Sequence, residues 1–171
     1  MNFEPTTLHK LMVLYMLSKV TFMMNQSQIR DFFLSKEYAS YFTFQNIISD
    51  LLESKLIDEK KTKTTQKYSL TEDGVTTLSY FQDNLSDKIK SEIDKYIQDN
   101  KMKMKSESSF ISDYIENSNN SFNVHLEIVE NKEALITINL EIPDSETALT
   151  MCDKWKTSAQ NIYKYIIKQL L

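Results

Sequence analysis

The chain has one cysteine, one glycine, two prolines and two histidines among its 171 residues, and each scarcity excludes something. The lone Cys152 cannot close an intramolecular disulfide, so no covalent framework holds the fold. With so few glycines and prolines there are few places to break the backbone, and most of the chain is expected in regular structure. No apolar run reaches eighteen residues, so no segment reads as a membrane span. The first residues lack a basic region followed by an apolar core and a small-residue cleavage site, and a cytoplasmic protein is expected. Positive charge is also short: 20 Lys and Arg stand against 24 Asp and Glu, a net charge of −4. That balance gives a nucleic-acid reading no help, because a dedicated binder usually carries a basic excess somewhere.

Catalytic patterns are missing too. There is no Gly-rich phosphate loop, no set of metal ligands at regular spacing and no serine elbow. His9 and His125 each stand without a spaced partner and read as surface or satisfied structural residues. Cys152 falls within an apolar stripe, where a cysteine acts as a small packed side chain. Trp155 lies on the same stripe and reads as core more readily than as the lining of a ligand pocket. The expectation is a protein that is not an enzyme and takes no cofactor or metal.

At 41% apolar residues the chain can bury one medium core or two small ones. Its charge is unevenly spread: residues 1–85 carry net −1, 86–105 net +2, 106–142 net −6 and 143–171 net +1. The acidity therefore sits in the second half.

The most informative stretch runs from Thr43 to Gly74. Phe44, Ile47, Ile48, Leu51 and Leu52 recur at the 3.6-residue period of a half-buried helix, with Thr43 placed as its capping hydroxyl. Leu56 and Ile57 open a short strand, DEKKTKTTQ is polar for nine positions, and KYSL returns as a second strand. In LTEDG, Thr71 is a cap candidate, Glu72 and Asp73 suit the positive end of a helix, and Gly74 lets that helix approach the hairpin. Helix, exposed hairpin and helix in this order form the DNA-reading half of a winged helix-turn-helix.

Around this stretch the pattern extends in both directions. LHKLMVLYMLSK is apolar on nearly every side and needs cover from the other helices of its domain or from a second subunit. Thr21 to Met24 is β-like, and NQSQIRDFFLSK reads as a helix with Asn25 and Gln28 spaced as a capping box. After Gly74, Val75, Leu78, Phe81 and Leu85 continue a buried stripe, and SDKIKSEIDKYIQDNKMKMK reads as a long charged connector. From Ser108 the period falls to two. FISDYIE, FNVHLEIVE and ALITINLEI form a three-stranded antiparallel meander, with turns at NSNNS and at Asn131 and Lys132. Phe122, Val124, Leu126 and Ile128, then Ala134, Ile136, Ile138, Leu140 and Ile142, give it one dry face. A final helix carries Ala148, Cys152, Trp155, Ala159, Ile162, Ile166 and Leu170 at steps of four and three, and covers that face. From Ser145 to Leu171 it would extend roughly 40 Å, more than such a sheet can cover.

The expected architecture is α+β, with a winged helix-turn-helix domain over 1–85, a connector helix over 86–106, and a sheet-and-helix dimerisation or regulatory domain over 107–171. Candidate DNA contacts are Thr43, Gln45, Asn46 and Ser49 on the reading helix, toward base edges or phosphates, and Lys60, Lys61, Lys63 and Lys67 in the hairpin, toward the backbone. Asp50 and Glu53 share the helix face and would repel phosphate.

The segments NQSQIRDFF, YFTFQNIISDLLESKLI, KYSLTEDG, VHLEIVE and ALTMCDKWKTSAQNIYKYI resemble an uncharacterised Firmicute family of winged-helix proteins. That family is catalogued as a domain of unknown function and often labelled a transcriptional regulator, and the resemblance covers essentially the whole chain. YSLTEDG alone is similar to many winged-helix families, including the MarR and PadR regulators. What the resemblance implies is a homodimer that binds double-stranded DNA through the helix matching 43–54 and the wing matching 60–67. An unidentified effector or protein partner is also expected, and no membrane. The rival expectation is a protein-interaction or scaffold module whose winged helix does not bind DNA.

Overall fold

The computed structural model describes residues 4–63, 65–130 and 133–171. Among them are six α-helices and two three-stranded antiparallel sheets, an α+β chain. In order come α1 (Pro5–Ser18), β1 (Met24–Asn25), α2 (Gln26–Ser35), α3 (Tyr41–Glu53), β2 (Ile57–Lys61), β3 (Gln66–Leu70) and α4 (Glu72–Phe81). After a 3-10 turn (Gln82–Asn84) follow α5 (Asp87–Ser109), β4 (Phe110–Glu116), β5 (Phe122–Glu130), β6 (Glu133–Ile142) and α6 (Ser145–Leu170). Contacts divide the chain into two compact units. The first runs to Lys61 and resumes over Gln66–Met104; the second joins the hairpin tip at Thr62–Thr65 to Lys105–Leu171.

In the first unit, α1 buries seven consecutive residues, Leu11 to Leu17. A helix buried all round needs neighbours on every side, and α3, α4, β3 and the 3-10 turn all pack on it. Helix α2 starts where expected, with the Gln28 side chain accepting the Asn25 N–H at 2.9 Å. The start of α3 differs. Its cap is Ser40, whose hydroxyl oxygen accepts the Thr43 N–H at 3.2 Å, so Thr43 lies inside the first turn and is not the cap. Tyr41 and Phe42, which precede the expected cap, are helical because Ser40 caps the helix three residues earlier. Nor is α5 only a connector: Ile93 and Ile97 are buried in the first core. Tyr96 Oη donates to the Gln28 carbonyl at 2.8 Å and Tyr38 Oη to Glu92 at 2.7 Å. Burial and the Glu92 carboxylate push the Tyr38 phenol up to about 12.

The three-stranded sheet of this unit has the order β1-β3-β2, with Ile57 opposite Leu70 and Met24 opposite Tyr68. Helix α4 joins it as the sequence pattern predicts, the Thr71 hydroxyl accepting the Gly74 N–H at 3.0 Å. A Cβ at position 74 would stand 2.0 Å from the Leu56 carbonyl oxygen and 3.1 Å from Leu70 Cδ2. The same oxygen accepts the Thr71 N–H at 3.3 Å.

In the second unit the sheet order is β4-β5-β6, with Val124 opposite Tyr114 on one side and Leu140 on the other. Asn120 takes a positive φ of 61° in the β4–β5 turn, a conformation asparagine tolerates. The turn expected at Asn131 and Lys132 lies outside the described residues. Helix α6 lays Ala148, Cys152, Trp155 and Ala159 on Phe110, Val124, Leu126 and Ile128. Small side chains allow the close approach, and Ser112 donates its hydroxyl to the Cys152 carbonyl at 3.1 Å. Trp155 fills the centre with its Nε1–H donating to the Glu127 carbonyl at 3.1 Å. The dry face fades along β6, which pairs with β5 alone among the described strands. Ile136, Ile138 and Ile142 are half-buried, whereas Ala134 and Leu140 are exposed, contrary to the alternation expected for them.

Two stability outcomes follow. Gly74→Ala would gain up to about 1 kcal/mol on an open helix. Here it should cost about 1–3 kcal/mol, because the obstructing atom is backbone and cannot swing aside; the urea midpoint of the variant checks this. Trp155→Ala should cost about 3–5 kcal/mol, with a lower melting temperature. Unchanged stability would mean that the helix-on-sheet core does not depend on that side chain.

Candidate functional site

The buried residues Phe44, Ile47, Ile48 and Leu51 fix the rotation of α3 and leave Phe42, Asn46, Ser49 and Glu53 exposed, at helical steps of four, three and four. This is the outward stripe. Of the candidate contacts, Asn46 and Ser49 lie on it, while Thr43 and Gln45 are half-buried beside it. The Thr43 hydroxyl is 2.9 Å from Ser40 Oγ. Gln45 Oε1 accepts from Gln26 Nε2 at 3.4 Å, and the same amide reaches Tyr68 Oη at 3.5 Å. Gln26, at the start of α2, thus ties α3 to β3.

Asp50, expected on the polar face, forms an ion pair with Lys10 of α1 at 2.7 Å. Its charge is offset locally. Glu53 remains on the stripe at the far end of the helix.

The hairpin lysines divide. Lys60 and Lys61 on β2 are exposed. Lys67 is not: it lies on β3, the central strand, opposite Asn25 and Lys60, and is only 3% exposed. Its assignment to the phosphate-facing set is therefore corrected, since a lysine inside the sheet is not a tip residue. At the tip, Thr62 and Thr65 close the turn through a Thr62 N–H to Thr65 carbonyl bond of 2.8 Å and a Thr65 N–H to Thr62 Oγ1 bond of 3.0 Å; Thr64 lies outside the described residues. Lys63 is exposed but engaged within the second unit. Its backbone N–H donates to Asp113 Oδ1 at 3.0 Å, and its ammonium sits 4.4 Å from the centre of the Tyr114 ring.

Acidic groups flank the hairpin base. Asp58, Glu59, Glu72 and Asp73, with Lys55, Leu52, Ile57 and Thr71, line a groove of about 550 Å³. Among the described residues no group of His, Cys, Asp and Glu is arranged to hold a metal ion. The groove carboxylates would repel phosphate.

The two histidines are not brought together. His9 is partly buried, with its ring edge-on to Phe33 at 6.0 Å; burial lowers its pKa. His125 stands on the open face of β5, with Nδ1 2.9 Å from Asn139 and Nε2 3.3 Å from Glu127. Cys152 is fully buried, and that burial pushes its thiol up from the usual range.

Three residues of the site were not singled out by periodicity: Ser40, Gln26 and Phe42. Phe42 did carry a signal, since it is apolar yet lies off the Phe44–Leu51 stripe.

Residues 9–170 match the profile of DUF4364, a domain of unknown function; the chain belongs to this family. Comparison with curated proteins and with solved structures gave no match. Among the described residues no helix is long and apolar enough to cross a membrane.

Because the Cys152 thiolate is disfavoured and enclosed, a thiol reagent at neutral pH should label the native protein slowly and the urea-unfolded protein fast. Stoichiometric labelling of the folded chain within seconds would point to a reactive, redox-sensing cysteine instead.

Proposed function

We propose that the first unit is a winged helix-turn-helix and that the protein is a DNA-binding transcriptional regulator, cytoplasmic and homodimeric. The observation that carries the reading is the outward stripe of α3, rotationally fixed by its buried side and presenting Asn46 and Ser49. The order α1-β1-α2-α3-β2-β3-α4, with β1 completing the hairpin into a small sheet, supports the fold assignment. In this reading α3 lies in the major groove with Asn46 and Ser49 toward base edges, and Gln45 acts from the side through its link to Gln26. Lys60 and Lys61 meet the backbone without choosing sequence. The Lys10–Asp50 pair removes one carboxylate from the approach.

Dimerisation is supported by α6. Its distal half leaves Ile162, Tyr165, Ile167 and Leu170 exposed, and a two-fold contact is the commonest way to cover such a surface. The rival reading, a protein-interaction module that does not bind DNA, draws on the acidic groove beside the hairpin and the net charge of −4.

The test is a salt titration against duplex fragments captured from genomic DNA and against a random duplex. Changing Lys60 and Lys61 together to alanine should weaken binding to every duplex and reduce the slope of log K against log salt by about two. Asn46→Ala should shift preference between fragments by about 1–3 kcal/mol. No binding of the unaltered protein to either duplex at low salt favours the rival. Sedimentation should give about twice the chain mass of 20.1 kDa at micromolar concentration; a single 20 kDa species would rule out the dimer.

A further inference from the structure

The outward stripe of α3 opens with two aromatic rings that lie largely outside the core. Phe42 is 80% exposed and Tyr41 50% exposed, and their rings meet edge-to-face with centroids 6.0 Å apart. Both belong to the first turn after the Ser40 cap. A single exposed phenylalanine needs no explanation; this one is set apart by its place. Phe42, Asn46 and Ser49 follow one another along a single helix face, and a recognition helix enters the major groove by its N-terminal turn. On the edges of base pairs there, a phenyl ring has one apolar partner, the 5-methyl group of thymine.

We infer that Phe42 is a specificity-determining residue that packs on a thymine methyl, with Tyr41 bracing its ring. The site read by α3 then carries thymine next to the position read by Asn46. The inference rests on the proposal that α3 lies in the major groove, and it adds a base preference that amides and hydroxyls do not supply.

The experiment uses the full chain and fragments that it retains from genomic DNA, each amplified once with thymine and once with uracil, which lacks only that methyl. The unaltered protein should bind the uracil form about three- to fivefold more weakly for each methyl contacted, the weight of one buried carbon. Phe42→Ala should bind both forms alike, at about the affinity of the unaltered protein for uracil DNA. Because the ring is exposed, the variant should melt as the unaltered protein does. Comparing the two thymine-to-uracil ratios cancels any change that uracil makes to duplex shape. Equal binding of both forms by the unaltered protein, or discrimination that survives in Phe42→Ala, overturns the inference while leaving the major-groove reading in place. Failure to retain any fragment at low salt overturns both, and assigns the aromatic pair to a protein partner.

Discussion

The first unit depends on a missing side chain. The Leu56 carbonyl oxygen occupies the space in which any side chain at position 74 would begin, and it also accepts the Thr71 N–H that starts α4. Leu56 follows the end of α3, and its own N–H bonds to the Leu51 carbonyl at 3.0 Å. One residue, Leu56, therefore connects the end of α3, the start of β2 and the start of α4 through the backbone groups on its two sides. With the chain's only glycine at that contact, α4 and the hairpin are held in fixed relation.

The electrostatics of the surface are more discriminating than the net charge suggests. Asp50 is taken up by Lys10, and Lys67 is enclosed by the sheet. Lys63 is held by Asp113 and Tyr114. Still exposed are a short basic step at Lys60 and Lys61 and a polar and aromatic face on α3, with carboxylates gathered in the groove at the hairpin base. The groove carboxylates repel a polyanion and the lysine step attracts one, so the two act against each other at short range.

Much of the fold could be read from periodicity because most of its elements bury one clear face; the stripe expected after Gly74 is buried at Leu78 and Leu85 but exposed at Val75 and Phe81. The α3 stripe, the alternation in FNVHLEIVE and the steps of four and three in α6 correspond to the buried residues Phe44 to Leu51, Val124 to Ile128 and Ala148 to Ala159. The Thr71 cap and the close approach at Gly74 could be read because few residue types satisfy those local demands. Reading failed where two local candidates competed, or where the outcome depended on a neighbour distant in sequence. Ser40 displaced Thr43 as the cap of α3, a choice between two hydroxyls three residues apart that propensity does not decide. The burial of Lys67 follows from β1 pairing on the far side of β3, and the exposure of Leu140 from α6 packing chiefly on β4 and β5 and little on β6. The link from Gln26 to Gln45 spans nineteen residues, so no local pattern announces it.

The central claim is that the outward face of α3 lies in a DNA groove, and directed cleavage tests it most directly. Cys152 is enclosed, so a cysteine placed at Ser49 can be derivatised selectively with an iron chelate that cuts nearby sugars. The account predicts localised cuts on both strands of a retained fragment, offset as major-groove cleavage requires, and none from the same reagent at Ser79, an exposed position on α4. Cleavage from Ser79 but not from Ser49, or cuts from neither on DNA that the protein demonstrably binds, would contradict it.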